Sequence, residues 1–366
     1  MQSNFFLNFT KKYRTVSPRA MQLHNRINKD ELKQRLTQSQ ELRSTLSFYR
    51  YVQLAEPQVF RDQLYEDWSK MNIFGRIYVA HEGINGQLSV PISQLNSFKN
   101  YLEQLPELRN LRLNAAIEDD GKSFYKLKIQ IRTKIVADGI EDPTFNPSDC
   151  GKHLNAEEFN KLTDHADTIL IDMRNHYESE IGHFENAILP DVGTFRDELE
   201  VVEKMLDIHA EKNIVMYCTG GIRCEKASAY MKHKGFKNVF QLDGGIIEYA
   251  RQVQEKGLKN KFRGKNFVFD ERLGERISDE IIARCHQCGN PFDTHQNCAN
   301  DACHLLFIQC ESCAAAYENC CSTKCKDFAQ LPVEEQRILR KTATFNGMKF
   351  GKDRYRSRKI GNSLEE

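Results

Sequence analysis

The sequence predicts a multidomain protein of α+β and α/β class with a small cysteine-rich region towards its C-terminal end. Three observations in the 366 residues support this fold class. Strands and helices between residues 45 and 132 follow a βαββαβ order, which favours a sheet with helices on one face. Short apolar runs then alternate with helical segments to about residue 257, as in a parallel α/β sheet. Finally, nine of the 12 cysteines lie between Cys285 and Cys325.

The first domain is predicted over residues 23–135. Its predicted elements are strand 45–53, helix 56–70, strands 73–80 and 86–90, helix 92–105, and strands 111–117 and 123–132. We therefore expect a ferredoxin-like sheet with one added strand. The preceding residues, 1–22, place basic side chains after an apolar stretch, which is the wrong order for a signal peptide. They are predicted to be a disordered extension.

The last strand of this domain has one apolar and one basic face. Its apolar residues alternate with basic residues that include Lys126, Lys128 and Arg132. Two interpretations are open: a solvated outer face of the sheet, or a surface that binds RNA. The formal net charge of the chain is only +1, so any nucleic-acid surface has to be a local patch.

The remainder of the chain divides by composition. Residues 136–162 are predicted to be a linker, because 136–152 are rich in Asp, Gly and Pro. A parallel α/β domain is predicted over 163–257 and a cysteine-rich region over 258–330. The tail, 331–366, is rich in Lys and Arg and is predicted to stay flexible until it meets a polyanion.

Composition also narrows the class of protein. No stretch approaches the roughly 18 consecutive apolar residues of a membrane span, so no membrane association is expected. Closely spaced cysteines in a chain without a secretory signal favour metal or redox chemistry over a disulfide framework. We therefore expect a cytoplasmic protein.

The most reactive residue is predicted to be Cys218, which ends an apolar strand-like run. Residues 218–223, here called the cysteine loop, comprise Cys218, Thr219, Gly220, Gly221, Ile222 and Arg223. The glycines let consecutive backbone N–H groups point inward, and the helix that follows adds positive potential. With the Arg223 charge, these groups should lower the pKa of Cys218 and make it a nucleophile. Cys224 is either a resolving thiol or a buried helix residue.

At this point the sequence resembles the rhodanese family. The likeness extends to Leu170-Ile171-Asp172-Met173-Arg174 before the loop and to Asp243-Gly244-Gly245-Ile246 after it. The resemblance implies a rhodanese fold in which Asp172 and Arg174 support the loop. Family members that use thiosulfate often carry a cationic side chain inside the loop, whereas residues 219–222 are uncharged. Plain thiosulfate sulfurtransfer is therefore not expected as the main activity.

The cysteine-rich region contains pairs with metal-ligand spacing. Interleaved pairing would place Cys285, Cys288, Cys310 and Cys313 in one four-thiolate site, and Cys298, Cys303, Cys321 and Cys325 in another. Such sites bind structural zinc and give a short region the core it otherwise lacks. Cys320 can replace Cys321 in this scheme. The alternative is a set of reduced or disulfide-capable cysteines without metal.

The arrangement as a whole resembles the bacterial rhodanese-domain tRNA uridine hydroxylases, which have an acylphosphatase-like N-terminal domain. Three further segments carry the likeness: 80–85 (AHEGIN), 119–124 (DDGKSF) and 266–272 (NFVFDER). The resemblance implies oxygen-dependent conversion of the wobble uridine of tRNA to 5-hydroxyuridine, with molecular oxygen as co-substrate. No NAD or flavin motif is recognisable. The alternative activity is sulfur transfer through a Cys218 persulfide.

Overall fold

The computed structural model describes residues 27–206 and 211–347, and the predicted extension 1–22 lies outside them. The first domain comprises α1 (Lys29–Gln38), β1 (Arg43–Tyr51), α2 (Pro57–Lys70), β2 (Phe74–Ala80), β3 (Gly83–Pro91), α3 (Leu95–Gln104), β4 (Asn114–Ala115) and β5 (Leu127–Ile131). The strand order is β4-β1-β3-β2-β5. All neighbours are antiparallel except β2 and β5, which are parallel. The ferredoxin-like prediction is confirmed, with β5 as the added edge strand.

The hydrophobic core of this domain lies on one side of the sheet. Apolar side chains of α2 recur along one helix face, where Phe60, Leu64 and Trp68 are all buried. Trp68 packs edge-on against Phe98 of α3, with ring centroids 5.6 Å apart. Because both helices cover the same face, the opposite face of the sheet is left for other contacts. Helix α1 was not predicted, and the strand predicted at 111–117 is reduced to the two residues of β4.

The second domain is a parallel α/β sheet. Its elements are β6 (Lys152–Leu154), α4 (Ala156–Thr163), β7 (Thr168–Asp172), α5 (His176–Ser179), β8 (Gly182–Phe184), α6 (Phe195–Leu206), β9 (Asn213–Tyr217), α7 (Ile222–His233), β10 (Val239–Leu242) and α8 (Gly245–Lys256). The parallel strands lie in the order β6-β10-β9-β7. Successive residues of β7 enter different cores: Ile169 and Ile171 pack with α6 and α7, and Leu170 packs with α4 and α8. Helices therefore cover both faces.

The predicted linker is too long. Residues 152–154 pair with β10 as an edge strand of the sheet, and Leu154 is buried. The next helix, α4, begins at a capping box. The Asn155 side chain accepts hydrogen bonds from two backbone N–H groups of the helix, and the Glu158 carboxylate accepts one from the Asn155 backbone N–H. The domain therefore begins at Lys152, and only 136–151 connects it to the first domain. The prediction missed β6 because a strand of three residues has too little periodicity to be recognised from the sequence.

The cysteine-rich region contains β11 (Phe262–Asn266), β12 (Glu275–Arg276), β13 (His295–Asn297), β14 (Leu306–Ile308), α9 (Glu311–Tyr317), α10 (Thr323–Ala329) and α11 (Val333–Leu339). Strand β11 pairs with both β8 and β12, so this region continues the second domain through a three-stranded sheet. The described part of the predicted flexible tail is ordered. Besides α11, Phe345 packs against Phe328 with ring centroids 4.8 Å apart. Residues 348–366 lie outside the described residues.

The helices within 27–206 and 211–347 include none that is both long and apolar enough to cross a membrane.

Candidate active site

The cysteine loop follows β9 directly, and its last two residues, Ile222 and Arg223, are the first two of α7. Cys218 is buried, and the backbone N–H of Gly221 donates a hydrogen bond to its Sγ atom over 3.2 Å. Gly221 caps α7 with a φ of 98°, which a residue with a side chain rarely adopts. A Cβ atom there would also lie 2.9 Å from the Tyr49 hydroxyl of the first domain. Helix α8 holds the other side of the loop, because its Ile246 N–H donates to the Cys218 carbonyl over 3.0 Å.

The surroundings of Cys218 favour a thiolate. Burial alone raises the pKa of this thiol. The Cys224 thiol hydrogen bond, the Arg223 charge and the backbone N–H groups of Cys224 and Arg223 outweigh burial and lower the pKa to about 6. Cys224 is fully buried, and burial together with the neighbouring Cys218 raises its pKa well above the usual value. The two cysteines therefore form a thiol–thiolate pair at neutral pH, with Cys224 as the donor.

The Arg223 side chain has a partner whose role was not predicted. Its guanidinium makes two hydrogen bonds to the buried carboxylate of Glu178, 2.6 and 2.8 Å long. This bidentate pair fixes the plane of the guanidinium beside the loop. Glu178 lies four residues after the rhodanese-like segment Leu170–Arg174, and this nearness was the only signal for it. Asn175 caps the same short helix α5 and holds Glu178 through a 3.0 Å hydrogen bond from its side-chain amide.

Asp172 and Arg174 lie fully buried beneath the loop. The Arg174 guanidinium binds both Asp172 carboxylate oxygens, over 2.8 and 2.6 Å. The hydroxyl of Tyr217, the residue before Cys218, donates to the same carboxylate over 2.8 Å. The Met173 N–H also donates to the Tyr217 carbonyl over 2.8 Å. These contacts hold the strand end that presents Cys218, and the supporting role of Asp172 and Arg174 stays a prediction.

A cavity of about 450 Å³ separates the cysteine loop from the uncovered face of the first sheet. Most of its wall comes from the first domain, the cysteine loop, and residues 268–275 of the cysteine-rich region, and Val136 and Ile247 complete it. Cys218, Thr219, Gly220, Ile222 and Arg223 all line it. The volume lies within the roughly 300–1,000 Å³ range of small-molecule sites. Cys218 is therefore at the wall of a cavity large enough for a nucleobase.

Glu275 is a second titratable group in this cavity, and it was not predicted. It is only 1% exposed, and its Oε1 atom accepts from the Arg272 guanidinium over 2.5 Å. Its Oε2 atom has no hydrogen-bond partner among the described residues. Burial, against the opposing effect of Arg272, raises the pKa of Glu275 to about 7. A carboxyl group that changes charge near neutral pH thus faces the same space as the thiolate.

Charged contacts fix the first domain against the cysteine loop. The Lys226 ammonium of α7 is buried and binds the Glu82 carboxylate at 2.9 Å and the Asp138 carboxylate at 2.5 Å. Tyr49 of β1 donates to Glu225 of α7 over 2.9 Å. Because α7 begins in the loop, these contacts determine the position of the first sheet relative to Cys218.

The basic face predicted on β5 is present and larger than expected. Lys128 and Arg132 are exposed, Lys126 is half-buried, and Arg76 of the neighbouring strand β2 lies directly opposite Lys128. Burial and the positive charges of Arg76, Lys126 and Arg132 lower the pKa of Lys128. These four residues, here called the basic face, adjoin the cavity through Arg76, which also lines it. Arg76 was missed because only strand pairing, which a sequence alone does not reveal, brings it to Lys128.

The eight predicted metal ligands form two groups in space. Each group has four sulfur atoms within 4.8 Å of one another: Cys285, Cys288, Cys310 and Cys313 in one, Cys298, Cys303, Cys321 and Cys325 in the other. The structure thus brings together Cys321 rather than Cys320 with its three partners. All cysteines in the described residues are free, so no disulfide crosses the region. Four converging thiols are the donor set of a structural zinc site.

Comparisons with known proteins agree with this architecture. The chain matches three family models: UPF0176 acylphosphatase like domain over 43–135, Rhodanese-like domain over 155–252, and Rhodanase C-terminal over 263–326. A tRNA uridine(34) hydroxylase of Pectobacterium atrosepticum is 58% identical over 329 residues, which cover 90% of this chain and 92% of that protein. Proteins of the same name from Enterobacter sp. and Yersinia enterocolitica are 56% and 57% identical, covering 91% and 90% of this chain and 96% and 94% of their own. The chain therefore belongs to the tRNA uridine(34) hydroxylase family.

Proposed function

We propose that this protein hydroxylates C5 of the uridine at position 34 of tRNA, with the Cys218 thiolate as the nucleophile. The observation that carries the proposal is the cavity of about 450 Å³ that has Cys218 in one wall and the basic face at its edge. A base held in a stack cannot reach a thiol inside such a cavity. The uridine therefore has to turn out of the anticodon loop and enter it, as bases do in other enzymes that act on them.

The chemistry follows from the reactivity of uracil. The thiolate adds to C6, and the electron pair of the C5–C6 double bond moves to C5 and O4. C5 then bonds one oxygen atom of molecular oxygen, the co-substrate. The O–O bond breaks and the second oxygen atom leaves as water, with two electrons and two protons supplied by two external thiol groups, which are oxidised to a disulfide. Loss of the C5 proton and departure of the Cys218 sulfur from C6 restore the double bond and give 5-hydroxyuridine.

The protein's own residues prepare this reaction in three ways. The Gly221 N–H and the Cys224 thiol stabilise the sulfur anion before it attacks and after it departs. Burial removes the water that would otherwise solvate the thiolate and weaken it as a nucleophile. Arg223, held by Glu178, supplies a fixed positive charge next to the developing negative charge.

tRNA is the proposed partner, and its phosphates are proposed to lie over the basic face. Arg76 is common to the basic face and the cavity wall, so a backbone bound there leads directly to the cavity. Phosphate contacts of this kind position a nucleic acid without reading its sequence. Since tRNA is used in the cytoplasm, this is where the protein is expected to act.

The two cysteine groups are proposed to hold zinc in a structural role. Four sulfur ligands leave no open coordination position, unlike zinc sites that activate water. The bound metal would stabilise the short elements β13 to α10, whose buried residues are largely the cysteines themselves. Lying in a separate region from the cysteine loop, these sites take no part in the proposed reaction.

Hydroxylation of unmodified tRNA by purified protein under ¹⁸O₂, with a thiol present, tests the proposal. We expect 5-hydroxyuridine that carries one ¹⁸O atom, detected by mass spectrometry of the digested nucleosides. Omission of oxygen should stop the reaction. A sulfur-containing uridine product instead, formed after loading Cys218 with persulfide, would show that the alternative activity, sulfur transfer, is correct.

A further inference from the structure

Strand register places a polar row across the uncovered face of the first sheet. Asn114 of β4 pairs with Ser47 of β1, Ser47 pairs with Gln87 of β3, and Gln87 pairs with Arg76 of β2. Residues directly opposite one another on neighbouring strands point to the same face. All four line the cavity, so the row forms the wall that faces the cysteine loop. At its other end Arg76 pairs with Lys128, which connects the row to the basic face.

Two atoms in this row are buried without a hydrogen-bond partner in residues 27–206 and 211–347. Asn114 is only 3% exposed, and its Oδ1 atom accepts no hydrogen bond from any described residue. The Oγ atom of the neighbouring Ser47 is shielded and, within the same part of the chain, also unpaired. Nearby buried hydroxyls are satisfied, since the Thr45 hydroxyl binds both Asp119 and Ser123. Leaving a buried polar group unpaired is destabilising, so two adjacent ones beside a cavity mark a surface that a ligand completes.

The chemistry of these groups matches uracil. Uracil presents a donor at N3–H next to an acceptor at O4, and a carboxamide offers an acceptor next to a donor. The Asn114 Oδ1 atom can therefore accept from N3–H while its amide NH₂ donates to O4. With the amide in the orientation that buries Oδ1, cytosine offers no hydrogen to that atom, because its N3 is an acceptor. N3 is also the ring atom furthest from C6, where Cys218 attacks. Because Asn114 and Cys218 lie on different walls of the cavity, one base can contact both residues through these opposite ring atoms.

From this arrangement we infer that Asn114, with Ser47 beside it, determines specificity for uridine by binding the N3–H and O4 edge of the base. The acylphosphatase-like domain then recognises the base and the rhodanese domain modifies it. The inference rests on the proposed function, because it assumes that uridine is the molecule that enters the cavity. It goes further by assigning base recognition to the first sheet rather than to the cysteine loop.

The test compares anticodon stem-loops that differ only in U34 or C34. For Asn114→Ala and the near-isosteric Asn114→Asp we expect kcat/KM on U34 to fall about 10- to 100-fold, from the loss of one or two buried hydrogen bonds. The preference for U34 over C34 should fall as well, most in Asn114→Asp, whose carboxylate can accept from the cytosine amino group. Binding of the stem-loop should change less than twofold, because the basic face is intact. Ser47→Ala should give a smaller loss.

Asn100→Ala, on the exposed surface of α3 across the sheet, is the matched control and should behave like the wild type. A melting temperature within a few degrees of wild type for Asn114→Asp separates recognition from folding. Unchanged kcat/KM and unchanged U34 preference in both Asn114 variants would overturn the inference and leave the proposed function standing. Failure of the wild-type protein to hydroxylate U34 would instead overturn the proposed function itself.

Discussion

At the scale of single residues, the reactivity of Cys218 depends on groups that oppose the effect of burial. Burial favours the neutral thiol, whereas the Cys224 thiol, the Arg223 charge and two backbone N–H groups favour the anion. The outcome is a pKa of about 6, well below the ordinary value of 9.0 for this thiol. Because the pKa is lowered, the reactive form is populated above pH 6 and is lost as the pH falls through that value.

The pH dependence of the reaction follows from the lowered pKa of Cys218. Single-turnover kcat/KM on a U34 stem-loop should rise from pH 5 and level off above pH 7, with about a tenth of the protein in the thiolate form at pH 5. Glu275→Gln should keep the rise in kcat/KM near pH 6, which comes from Cys218. It should lack the second inflection near pH 7 that titration of the Glu275 carboxyl gives the wild type. A rate that first rises near pH 9 would show that Cys218 is not activated as described.

The Arg223–Glu178 pair makes a second prediction at this scale. Arg223→Ala leaves the Glu178 carboxylate buried without its cation, and breaking a buried pair in this way costs roughly 3–5 kcal/mol. Adding Glu178→Gln should recover part of this stability, because it removes the unpaired charge. Urea denaturation of the wild type, both single variants and the double variant measures the coupling. Strictly additive effects would mean that the two residues do not act as a pair.

At the scale of elements, short segments are positioned by side-chain contacts rather than by their own propensity. Helix α7 carries Lys226 to the buried carboxylate of Asp138, which ties the helix to residues preceding the second domain. The elements of the cysteine-rich region are two to seven residues long between β12 and α11. Elements of that length do not fold alone, and the two cysteine groups lie among them.

Zinc content tests this account of the cysteine-rich region. Protein purified without chelator should contain about two zinc equivalents, one for each group of four sulfur atoms. Cys285→Ser should lower the content towards one equivalent, because the other group is unchanged. Cys150→Ser, which alters a cysteine of neither group, is the control and should keep two. Elemental analysis together with a thermal melt in chelator checks both points, and a stable metal-free protein would contradict the assignment.

At the scale of the whole molecule, features formed by residues close together in the sequence could be predicted. Features that depend on contacts between distant segments could not. The cysteine loop could be located because a strand end, glycines and a helix start follow one another in sequence. The interleaved cysteine groups could be proposed from spacing alone. Asn114 and Arg76 could not, because each joins the site through strand pairing with a distant segment. The linker was overestimated since β6 is recognisable only from its pairing with β10.

The salt dependence of tRNA binding tests the basic face as a unit. Replacing Arg76, Lys126, Lys128 and Arg132 by Gln should weaken binding of different tRNAs to a similar degree. It should also lower the slope of log Kd against log salt by up to about 0.9 for each phosphate that the variant no longer binds. The control is Lys256→Gln with Lys259→Gln, two exposed positions at the last residue of α8 and three residues beyond it. An unchanged slope in the fourfold variant would place tRNA on another surface.

The most direct test of the central claim is the 5-hydroxyuridine content of tRNA from cells whose only copy of this protein carries Cys218→Ser. A serine hydroxyl is not ionised near pH 7, so it cannot act as the nucleophile in place of the thiolate. Nucleoside mass spectrometry should find no 5-hydroxyuridine at position 34, although the variant folds and binds tRNA as the wild type does. Wild-type levels of 5-hydroxyuridine in these cells would contradict the account and place the reaction outside the cysteine loop.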